Sequence, residues 1–64
     1  MRPAASEAVR SELRALLTRA ADCEARRQDA HQAKDWPRVA GLEAELRRLW
    51  ARSAELERRA ERAA

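Results

Sequence analysis

One stretch of this chain repeats with a period that leaves few folds open. Val39, Leu42, Leu46, Leu49, Ser53, Leu56, Ala60 and Ala63 follow one another in steps of three and four, with a single polar interruption at Ser53. Only an α-helix gathers such a set on one side, and a sustained 3.5-residue period supports left-handed coiled-coil packing. A helix with one apolar stripe needs a second surface to cover it. The N-terminal half supplies that surface: Val9, Leu13, Leu16, Ala20 and Cys23 keep the same spacing, and Leu17 and Ala21 widen the stripe. Beyond Cys23 the stripe weakens through Arg27, Ala30 and Lys34.

Strands have almost no material here. The chain contains no Phe, Tyr or Ile, and its β-branched residues are Val9, Thr18 and Val39. Ala, Leu, Arg and Glu dominate, and all four are strong helix formers. A first helix is expected over about residues 6–34, with Ser6 as its N-cap and Glu7 in the first turn, where the helix dipole favours an anion. The break falls at Asp35-Trp36-Pro37. Pro37 cannot continue a helix without losing a hydrogen bond, and it biases Trp36 away from the α region. Proline does suit the start of a new helix, so the second is expected over about residues 37–62. The expected fold is all-α, an antiparallel two-helix hairpin forming a single domain; one long kinked helix is the alternative. Folding at about residue 36 sets Leu13 near Ala60, Leu16 near Leu56, Cys23 near Leu49 and Ala30 near Leu42.

Size argues for association. Ordering 64 residues costs roughly 1.5 kcal/mol each, and a chain this short buries little surface to offset that. The single cysteine excludes an intrachain disulfide, and one cysteine with one histidine makes a poor zinc site. The two stripes, with Leu17 and Ala21 flanking one and Trp36 and Trp50 the other, exceed what one hairpin can cover. Two hairpins packed face to face would cover them in a four-helix bundle. The expected interface residues are Leu13, Leu16, Leu17, Trp36, Val39, Leu42, Leu46, Leu49, Trp50 and Leu56. Gly41, early in the second helix, is unfavourable by about 1 kcal/mol against Ala; it either admits another backbone or is simply tolerated.

Catalytic and metal chemistry find little support. Cys23 and His31 are eight residues apart, about 12 Å along a helix, beyond the reach of a nucleophile–base pair. Asp22–Arg26, Glu43–Arg47 and Glu55–Arg59 have the spacing of helix-surface ion pairs. No catalytic residue, cofactor or metal site is therefore expected, and the chain is read as non-enzymatic. The leading expectation is a homodimeric interaction module acting through protein–protein contacts as scaffold or regulator. The alternative is a small nucleic-acid-binding regulator in which Arg47, Arg48 and Arg52 contact phosphates. Against it, Glu55, Glu57 and Glu61 interleave the downstream arginines. Charges interrupt the first residues and no apolar run approaches the ~20 residues of a membrane span. A cytoplasmic location with a free Cys23 thiol is expected.

The length and hairpin plan resemble the Rop-type plasmid regulators, which would imply a dimeric four-helix bundle binding paired RNA loops. No motif beyond the plan aligns. A Trp at a helical hairpin resembles the WxG-type secreted proteins, but here Trp36-Pro37-Arg38 lacks their glycine and the chain is much shorter. No family is assigned from either.

Overall fold

A computed structural model describes the backbone of residues 3–63 and the side chains of residues 7–62. Two helices, α1 (Pro3–Gln32) and α2 (Trp36–Ala63), pack against each other as a hairpin. The long kinked helix is thereby set aside. Since α1 begins at Pro3, Ser6 lies inside the helix and is not its N-cap.

The tip explains why α1 stops at Gln32, short of the expected Lys34. Lys34 takes a φ of 59°, the left-handed conformation that closes many helices. The Lys34 N–H then donates to the His31 carbonyl at 3.0 Å, and the Asp35 N–H donates to the Ala30 carbonyl at 2.9 Å. Together these bonds make a Schellman cap, which satisfies carbonyls that the last helical turn leaves free. Asp35 also opens α2. Its Oδ1 accepts the Arg38 N–H at 3.4 Å, and its carbonyl accepts the Val39 N–H at 3.0 Å. With Asp35 as N-cap, Trp36 is the first helical residue, one earlier than expected. Pro37 falls in the first turn, where an N–H has no helical acceptor and none is missed.

The seam between the helices is built from the predicted stripes. Leu16, Ala20, Cys23, Leu46, Leu49 and Leu56 form the buried cluster, with Val9, Leu13 and Leu42 packed against it. Ala30 and Val39 are buried nearer the tip, and Ser53 is buried in the seam of α2. The register differs from the expected one. Glu12 meets Arg52, and the Cys23 thiol donates to the Leu42 carbonyl at 3.4 Å. Cys23 thus lies nearer the tip-proximal end of α2 than a Cys23–Leu49 pairing requires. The shift follows from the turn: the chain reverses around Lys34, not around residue 36. A Cβ at Gly41 would meet nothing within 4 Å, so within the hairpin that glycine admits no close backbone.

The molecule is long and thin, with extents of 50 × 14 × 10 Å and a radius of gyration of 14.8 Å. A compact chain of this length would have a radius of about 11 Å. Its accessible surface is 4925 Å², against about 4,200 Å² for a compact folded monomer of this mass. Among the described residues, no helix is long and apolar enough to cross a membrane.

Candidate association surface

The seam divides the hairpin into two flanks of different chemistry. On one flank, charged side chains bridge the helices. The Arg52 guanidinium donates to Glu12 on α1 at 3.1 Å and to Glu55 on α2 at 3.2 Å, and Glu55 also holds Arg59 at 3.3 Å. These bonds raise the Arg52 pKa, first through Glu12 and then through Glu55, so its positive charge is secured. Toward the tip, Arg19, Asp22, Arg26 and Glu45 line a shallow groove beside Cys23 and Leu42. Among the described residues, this flank exposes no large apolar side chain.

The other flank is arranged in levels. At the tip, His31 meets Trp36 edge-to-face, with ring centroids 5.1 Å apart and planes at 86°. Seven residues further from the tip on each helix come Glu24 and Glu43. Arg27 joins them, 3.1 Å from Glu24 and 3.9 Å from Glu43. Another seven residues bring Leu17 and Trp50 to one level, and a last step brings Arg10 and Glu57. Steps of seven preserve a helix flank. A His–Trp level at the tip and a Leu–Trp level further along therefore frame a charged belt. Trp36, Leu17 and Trp50 are 53%, 50% and 46% exposed.

The expected interface residues therefore separate into two groups. Leu16, Val39, Leu46, Leu49 and Leu56 are buried within the hairpin, with Leu13 and Leu42 partly so. Among the described residues, Leu17, Trp36 and Trp50 are the large apolar side chains left exposed. Arg47 and Arg48 are exposed on α2, and neither makes an ion pair among the described residues. Arg52, the third member of that set, is committed to Glu12 and Glu55. Asp22–Arg26 and Glu55–Arg59 pair as their spacing predicts, whereas Glu43 pairs across the hairpin with Arg27 instead of with Arg47. The roles of Glu12 and Arg27 were missed by the spacing argument. Arg27 stood at a seam position with no apolar residue, and that anomaly was the available signal.

Cys23 and His31 are not brought together. The Cys23 thiol is buried against the Leu42 carbonyl. Burial pushes its pKa up, the Glu45 carboxylate adds to the rise, and Arg26 opposes it. A thiol held neutral in this way is a poor nucleophile. Among the described residues, no three His, Cys, Asp or Glu side chains cluster as a metal site would require. Compared with known protein families, curated proteins and solved structures, the chain matches none.

Proposed function

We propose that this chain is a non-enzymatic, self-associating interaction module, a helical hairpin that pairs with a second copy in a four-helix bundle. It would act as scaffold or regulator through protein contacts in a reducing cytoplasm. One observation carries the reading: the hairpin exposes about 700 Å² more surface than a compact monomer of its mass. A standard interface removes about 800 Å² from each partner, so pairing would bring the exposed area of each copy close to that of a compact monomer of its mass. Coiled-coil packing of the two seams suits the 3.5-residue period of α2. Sedimentation equilibrium at micromolar concentration is the test. A species of twice 7.3 kDa is expected, and a folded monomer overturns the reading.

A second reading, nucleic-acid binding, draws on Arg47 and Arg48, exposed and without an ion pair among the described residues. It requires an Arg-dependent complex whose affinity falls steeply with salt. The commitment of Arg52 to two carboxylates counts against it, because a phosphate would have to displace both.

A further inference from the structure

We infer that the tip of the hairpin is a lock. It keeps α1 and α2 of one chain paired with each other and bars the chain from opening into one long helix that exchanges halves with a second copy. The inference concerns the fold of each chain, so it stands whether closed hairpins pair or remain single.

Exchange is the outcome that several features of the chain would favour. The seam lies between α1 and α2, so two opened chains could rebuild it from opposite partners, and such swapping is a low-cost route to a dimer. The turn between the helices is short, from Ala33 to Asp35. Its Lys34 holds a left-handed backbone without being glycine, and short strained hinges invite exchange. Ala33 and Lys34 are themselves good helix formers.

What bars exchange is the phase of the two stripes. α1 buries Leu16, Ala20, Cys23 and Ala30, with Arg27 half-buried between the last two. Carried past Ala30 in the same steps of four and three, that stripe would reach Lys34, Pro37, Gly41 and Ala44. Pro37 and Gly41 are exposed, and Ala44 is half-buried. α2 instead turns Val39, Leu42, Leu46 and Leu49 inward. Val39 and Leu42 stand two residues before Gly41 and Ala44. At about 100° per residue, that offset carries the α2 stripe nearly to the opposite side of a continuous helix. A straight partner helix would cover one stripe and leave the other in water. The reversal at Lys34 removes the mismatch, because in a hairpin each helix turns its own side inward.

Pro37 adds a second bar. In the hairpin it lies in the first turn of α2, where an N–H has no helical acceptor. In an unbroken helix the same residue would leave the Ala33 carbonyl without its N–H partner and press the ring against it. Asp35, which accepts the Arg38 N–H at the start of α2, would lose that role as well.

Cross-linking across the seam tests the lock. Glu12 and Arg52 meet at 3.1 Å. The full chain carrying Glu12→Cys, Arg52→Cys and Cys23→Ala is unfolded in urea, refolded at high concentration and joined with a short bis-maleimide. On a denaturing gel, a link within one chain runs as monomer and a link between exchanged chains runs as covalent dimer. Closed hairpins that merely dock share no seam, so self-association leaves the monomer band in place. The native tip is expected to give that band. Pro37→Ala should give it too, since the stripes stay out of phase. Two alanines inserted after Asp35 in the Pro37→Ala background bring the stripes into line, and the dimer band should then rise roughly tenfold or more. Covalent dimers from the native tip would overturn the lock, and covalent dimers from Pro37→Ala alone would overturn the phase argument. A lengthened chain that is helical by circular dichroism yet stays in the monomer band would overturn the phase argument as well. Should the lengthened chain fail to fold, the Pro37→Ala result decides alone.

Discussion

Lys34 shows how a single residue can end a helix at a cost to the fold. Its φ of 59° is a conformation that residues with a Cβ adopt at a penalty of roughly 1–2 kcal/mol, and that glycine adopts freely. The Schellman bonds at the His31 and Ala30 carbonyls hold it there. Lys34→Gly should therefore stabilise the hairpin by about 1 kcal/mol, seen as a higher midpoint in thermal melts followed by circular dichroism. A lower midpoint would mean that the lysine side chain contributes more than its backbone costs. Cys23 makes a different prediction. The folded thiol ionises above its ordinary value of 9.0, chiefly because it is buried. The unfolded thiol loses its proton first as pH rises, so the folded state forfeits stability above that value and none below it. Alkylation of the native protein should be slow at pH 8 and should accelerate in urea to the rate of an ordinary thiol; equal rates would show that Cys23 is open to solvent.

At the scale of the elements, the seam is where stability concentrates. Leu46 and Leu49 are each 7% exposed, and truncating a well-buried leucine to alanine costs about 2–5 kcal/mol. Leu46→Ala and Leu49→Ala should each show that loss in urea titrations, whereas Ala51→Ser, at an exposed position, should be nearly silent. Equal losses at all three would contradict the register of α2. Both stripes were legible beforehand, because a 3.5-residue repeat of large apolar residues survives any local uncertainty about where a helix starts. The pairing between the stripes was not legible. It depends on the residue around which the chain reverses, and Lys34 carries none of the glycine or asparagine signal that usually marks a left-handed cap. The start of α2 was misplaced for a related reason: Pro37 argues against a helical Trp36, but capping by Asp35 outweighs that bias. The paired flank was hidden because Glu12 and Arg52 are far apart in sequence and meet only once the register is known. Leu17, Trp36 and Trp50 were legible as apolar residues flanking the stripes, while their exposure required the structure.

The whole molecule is a rod about one helix hairpin thick, measuring 50 × 14 × 10 Å. Its core is a single row of side chains, several of them Ala, Cys and Ser, and so thin a seam offers little apolar burial against the entropy of ordering the chain. The proposed self-association would add a second layer to this seam and link folding to protein concentration. In a linked system the folded dimer gains on the unfolded chain as concentration rises, and the melting midpoint rises with it. An independently stable hairpin melts at a temperature that ignores concentration. Thermal unfolding followed by circular dichroism from about 1 µM to 1 mM tests this most directly. The account predicts a midpoint that climbs steadily with each tenfold increase in concentration; one cooperative transition at an unchanging midpoint would contradict it.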